Sequence, residues 1–152
     1  MKKLIYSLAT LLVLSCAFVS CGSDDDENIS YSTTPEKASA GTYVGTWTRV
    51  QGEEVTTYDG SVTLAATDSV GCVDITFSCP ETEIAASSVA NITNANYGFK
   101  FVNQVTSAAN GLGTSFSGNI NENGVLFTAF TLSVRTGRVL VEYEYSFVGT
   151  KQ

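Results

Sequence analysis

The chain has 152 residues, with eight Lys and Arg against fifteen Asp and Glu, four Cys and no His. That length holds one domain with a tail, and the lack of His removes the usual general base, the commonest metal ligand and every Ser-His or Cys-His dyad. A formal net charge of −7 opposes nucleic-acid binding, which rests on Lys and Arg neutralising phosphates.

The N-terminus reads as a targeting segment. Met1-Lys2-Lys3 is a basic start, and Leu4 to Val19 is an apolar run around Leu11, Leu12, Val13 and Leu14. The run is short for a membrane span and has no basic stop-transfer flank, so residues 1–20 are expected to be a secretory signal. Phe18-Val19-Ser20-Cys21 resembles a bacterial lipobox, which implies that Cys21 becomes the lipidated N-terminus. Val13-Leu14-Ser15-Cys16 is a rival match, and the residues after Cys21 decide between them. Ser23-Asp24-Asp25-Asp26-Glu27 resembles the export signal of Bacteroidetes surface lipoproteins, which directs them to the exterior face of the outer membrane. The resemblance implies an outer-membrane protein held by acyl chains, palmitate among them, without spanning the bilayer.

Removing the signal leaves six basic against fifteen acidic side chains. Residues 21–40 are rich in Ser, Thr, Asp and Glu and read as the lipidated end plus a flexible acidic tether. The folded domain is expected over 41–152.

That domain reads as strand throughout, because Leu is scarce, Met is absent and β-branched residues abound. In chain order the predicted strands are 42–50, 55–67, 71–79, 83–92, 97–107, 113–121, 125–135 and 138–150, the fourth being the least patterned. Alternation carries the assignment. Val73, Ile75, Phe77 and Cys79 share one face, as do Val139, Val141, Tyr143, Tyr145 and Phe147. Asn110-Gly111, Asn123-Gly124 and Thr136-Gly137 mark tight connections, since Gly and Asn accept positive φ cheaply. Eight sequential strands with short turns suit an all-β fold, an antiparallel up-and-down barrel that leaves no open edge; a β-sandwich is the alternative.

Gly45-Thr46-Trp47 on the first strand resembles the Gly-x-Trp that opens lipocalin and wider calycin barrels. The spread from Gly41-Thr42-Tyr43 to Tyr145-Ser146-Phe147 is similar to calycin-like lipoproteins of Bacteroides-type bacteria. The resemblance implies that Trp47 plugs one end of the barrel against a basic residue near the last strand, for which Arg135, Arg138 and Lys151 are the candidates.

Few side chains suggest chemistry. Cys72 and Cys79 on one extended strand point to opposite faces and lie roughly 20 Å apart, too far for a disulfide, whose Cα atoms stand within about 7 Å. Two Cys without His make a poor zinc site, and no metal or cofactor is expected. Glu142 and Glu144 share a polar strand face, a pattern that marks solvation more often than a catalytic pair. The Gly-rich run 111–118 lacks the Lys and the helix of a phosphate loop. Asp68-Ser69-Val70 resembles the short O-glycosylation motif of Bacteroidetes, with Ser69 as acceptor.

The aromatics carry the remaining functional signal. Tyr97, Phe99, Phe101, Tyr143, Tyr145 and Phe147 are candidates to line a site for a small apolar ligand or a stacked sugar. They would equally fill a small barrel. The expectation is therefore a non-enzymatic surface lipoprotein whose barrel binds a small apolar molecule. The alternative is an adhesin or accessory protein that meets a glycan or protein through its outer surface, and the oligomeric state is left open.

Overall fold

The computed structural model describes residues 31–95, 98–103 and 114–152. The signal, Cys21 and the acidic run Ser23 to Glu27 lie outside the described residues, as do Tyr97 and the Asn110-Gly111 turn.

Eight antiparallel strands form one sheet that closes on itself in sequence order: β1 (Gly41–Gln51), β2 (Glu54–Ala66), β3 (Cys72–Cys79), β4 (Ile84–Ala95), β5 (Gly98–Val102), β6 (Ser117–Ile120), β7 (Val125–Thr136) and β8 (Val139–Lys151). Closure runs through β1 and β8, where Tyr43 pairs with Lys151 and Val50 with Glu144. The up-and-down barrel expected from the alternation is thus the fold. The least patterned segment is a full strand, because Ile84, Ala86, Ala90 and Ile92 alternate inward. The fifth and sixth strands are shorter than expected. Among the described residues β5 stops at Val102 and β6 starts at Ser117, and those two residues pair with each other.

Turn chemistry sets the hairpins. Gly52, Gly124 and Gly137 all adopt positive φ at strand connections. At the β6–β7 turn, Asn121 Oδ1 accepts the backbone N–H groups of Asn123 and Val125, so Asn121 organises a turn that Gly124 completes.

The inward residues form one core. Trp47, Phe77, Phe116, Phe130 and Phe147 meet in the middle of the barrel, with Trp47 ring centroids 5.0 Å from Phe147, 5.6 Å from Phe130 and 6.0 Å from Phe77. Most of these pairs cross edge to face, the geometry that matches ring edge to ring face and adds about 0.5–1.5 kcal/mol beyond burial. An eight-stranded barrel is only wide enough for such a filling. Among the described residues, no buried side-chain nitrogen or oxygen lacks a partner.

One expectation about the tether is corrected. Residues 35–39 are not loose chain but a short helix, α1 (Pro35–Ser39), packed across one end of the barrel. Glu36 and Ser39 are buried there. Glu36 Oε2 accepts the Gly71 N–H at 3.2 Å, and Ser39 C=O accepts the Tyr43 hydroxyl at 2.7 Å. The Lys151 ammonium donates to the Ala38 carbonyl, and Ser32 and Asn94 exchange two further bonds. The polar sequence hid this because the helix buries a carboxylate, held by a backbone donor, where a sequence pattern would look for an apolar stripe.

Candidate functional site

The Gly-x-Trp motif does something other than plug an end. Trp47 is fully buried in the middle layer, paired with Tyr58 on β2 and Phe147 on β8. Its indole N–H donates to the Ser78 carbonyl on β3 at 3.0 Å. Gly45 makes the motif necessary, since a Cβ there would collide with the Val148 carbonyl and the Gly149 Cα. The basic partner is corrected as well. Arg135 and Arg138 are exposed, and Lys151 is committed to Ala38 at the α1 end. The end cap is α1, and the barrel has Trp47 as its central pillar.

Of the aromatics expected to line a site, Phe101, Tyr145 and Phe147 belong to the packed core, and Phe99 is half-buried against it. Among those of them that are described, Tyr143 alone stands on the inner face beyond the core, at the end away from α1. There the wall is uneven. β2 runs beside β1 down to Glu54, yet its pairing with β3 begins only at Ser61. The β7–β8 hairpin continues to Thr136 and Val139, whereas β6 leaves β7 at Ala129 and β1 leaves β8 at Glu144. Among the described residues, then, β7, β8, β1 and β2 form a raised wall beyond the aromatic floor.

The inner face of that wall carries Arg49, Tyr58, Leu132 and Tyr143, all half-buried. Strand alternation brings Arg49 to the same face as Trp47 two residues earlier. Its guanidinium carbon lies 5.4 Å from the Tyr58 ring centroid and 5.5 Å from that of Tyr143. Two ring faces thus hold a permanent cation at the mouth. The sequence reading missed Arg49. Its signal was the placing of a charge in phase with Trp47 on an inward face.

A second surface lies on the outer wall. A cavity of about 310 Å³ spans β1, β8 and β7, lined by Val50, Ala129, Phe130, Thr131, Glu144, Tyr145 and Ser146. Alternation points Val50, Ala129, Thr131, Glu144 and Ser146 outward, so this is a groove on the barrel's exterior. Val44, Phe127 and Val148 are exposed beside it on the same strands.

Among family models, curated proteins and solved structures, none matches this chain.

The remaining candidates sort by position. Cys79 is buried, Cys72 is half-buried, and both are free thiols. Glu142 and Glu144 are exposed on the outer face, on either side of inward Tyr143. Ser69 is exposed in the β2–β3 turn, where its backbone N–H is held by Thr67 Oγ1, leaving the side chain open to modification. The part of the Gly-rich run over 111–113 lies outside the described residues. Among the described residues, no group of three or more His, Cys, Asp or Glu is placed to hold a metal ion, and no helix is long and apolar enough to cross a membrane.

Proposed function

We propose that this protein is a non-enzymatic, lipid-anchored binding protein of the outer membrane's exterior face, with a calycin-like barrel that takes a small, largely apolar molecule at the mouth opposite α1. The observation that carries the reading is the direction of the chain. The chain enters the barrel through α1, with Ser32 bonded to Asn94 at the same end, so a lipid on Cys21 would hold that end toward the bilayer and turn the mouth away from it. There Tyr58, Leu132 and Tyr143 offer apolar surface left half-covered by the protein. A ligand would rest on the aromatic floor, since the middle of the barrel is filled by Trp47, Phe77, Phe130 and Phe147.

The test is to purify residues 22–152 without detergent and screen extracted lipids and glycans by native mass spectrometry. A bound small molecule, lost on Tyr143→Ala with the fold intact, is the expected result. Absence of any bound species would remove the mouth reading. The anchor has its own test: Cys21→Ala should release the protein from membranes, and protease applied to intact cells should remove the domain.

The outer groove favours a second reading, an adhesin or accessory protein that meets a glycan or protein on β7, β8 and β1. Exposed Phe127, Val148 and Val44 beside the 310 Å³ groove support it. Phe127→Ser would then abolish partner capture while leaving any mouth ligand in place.

A further inference from the structure

We infer that the mouth selects a carboxylate, bound by the Arg49 guanidinium between Tyr58 and Tyr143. This rests on the mouth being the binding site, and it adds the chemical class of the ligand.

Arg49 is half-buried, and its contacts with the two rings at 5.4 and 5.5 Å are attractive but, among the described residues, leave its N–H groups without a protein acceptor and open toward the mouth. Among the described residues, its guanidinium makes no hydrogen bond and no ion pair. A cation drawn into a partly desolvated site is ordinarily matched by a carboxylate or by several acceptors, because both charge and donors lose water there. The acids nearest in register do not serve. Glu54 pairs with Gln51 at the exposed rim, and Glu144 belongs to the outer face. The sequence between β5 and β6, residues 103–116, contains neither Asp nor Glu. The sequence has three arginines, and all of them map to this end, Arg135 and Arg138 on either side of the β7–β8 turn. Glu53, Glu54, Glu81 and Glu83 also lie in or beside connections at this end, but all four are at the rim rather than on the inner face, where Arg49 stands between the two rings.

The guanidinium fork fits a carboxylate in a two-bonded arrangement, and the flanking Tyr58, Tyr143 and Leu132 suit an apolar or ring-shaped body attached to it. A fatty acid and a sugar acid share that chemistry.

Calorimetric titration of residues 22–152, which contain the closed barrel and its α1 cap, compares octanoate with octanol and glucuronate with glucose. The expected result is that one acid binds about tenfold or more tightly than its neutral counterpart, as a charge-assisted hydrogen-bonded pair implies. Arg49→Gln should erase that preference, and Arg138→Gln should keep most of it. Should Arg49→Gln fail to fold, Arg49→Lys, which keeps the charge and loses the fork, should reduce the preference several-fold. Acid and neutral partner binding equally would overturn the carboxylate assignment and leave the mouth reading standing. No binding by any of the four would remove both. An unchanged acid preference in a folded Arg49→Gln protein would reduce Arg49 to a prop between two tyrosines.

Discussion

The indole N–H of Trp47 reaches the Ser78 carbonyl two strands away, at 3.0 Å, by passing over Gly60 on the strand between them. A Cβ on Gly60 would sit 2.5 Å from Trp47 Cδ1 and 2.7 Å from Nε1, closer than packed atoms allow. Three strands are therefore tied at one point, and the tie exists only because the middle strand has no side chain there. Gly60→Ala should shift the indole off Ser78, leave that carbonyl short of its partner, and cost about 1–3 kcal/mol. Urea unfolding followed by Trp47 fluorescence measures it. A variant as stable as the parent would show that the indole tolerates displacement and that the tie contributes little.

The α1 end gives a prediction in pH. Burial pushes the Tyr43 phenol up from 10.0 to about 12, and its hydroxyl donates to the Ser39 carbonyl. The folded chain keeps this proton while the unfolded chain releases it near its ordinary value. Between those two values the folded state binds more protons, so stability is full below pH 10.0 and falls as pH rises toward about 12. Tyr43→Phe should lower stability at neutral pH by about 1 kcal/mol through the lost bond. It should also flatten the alkaline decline. Denaturation midpoints taken across that window decide the matter, and an identical slope in the two proteins would exclude Tyr43 as its source.

Those two sites also show what was legible in the sequence. Alternation such as Val73-Ile75-Phe77-Cys79 fixes which face turns inward, and glycine turns fix hairpin order, so the strands and their sequential pairing were readable. The core role of Trp47 was not, because two-residue periodicity says nothing of height along the barrel axis. That height is set by register, Trp47 opposite Phe147 and Tyr58, and register is a long-range property. Arg49 was missed for a related reason. A charged residue in phase with buried ones reads as a break in the pattern until two tyrosines from β2 and β8 are seen on either side of it.

Glu36 supplies a third prediction, about the cap. Its buried carboxylate accepts the Gly71 N–H from the β2–β3 turn, linking the chain before the barrel to a connection within it. Glu36→Ala would leave that donor without its partner beneath α1, costing about 1.5–3 kcal/mol if the bond is charge-assisted. Glu36→Gln keeps an acceptor oxygen and should cost less. Hydrogen exchange at the Gly71 amide separates the cases, with faster exchange expected in Glu36→Ala. If both variants match the parent in exchange and in stability, α1 rests on the barrel without securing it.

The two thiols offer a test of strand facing that needs no ligand. Cys79 is fully buried in the core, whereas Cys72 is half-exposed with its thiol donating to Asn91 Oδ1 at 3.5 Å. Odd spacing along one strand put them on opposite faces, and the barrel wall now stands between them. In residues 22–152, iodoacetamide should modify one thiol in the folded protein and both in denaturant, as read by mass. Cys79→Ser should cost about 1–3 kcal/mol if the new hydroxyl finds no partner in the core, while Cys72→Ser should stay within about 0.5 kcal/mol. Oxidation should leave the pair unbridged, because closing it would require β3 to fold back on itself and give up its pairing to β2 and β4. Equal reactivity of both thiols in the folded protein would mean that the β3 end of the barrel opens on the labelling timescale, which the packing of Phe77 on that strand against Trp47, Phe116 and Phe130 argues against.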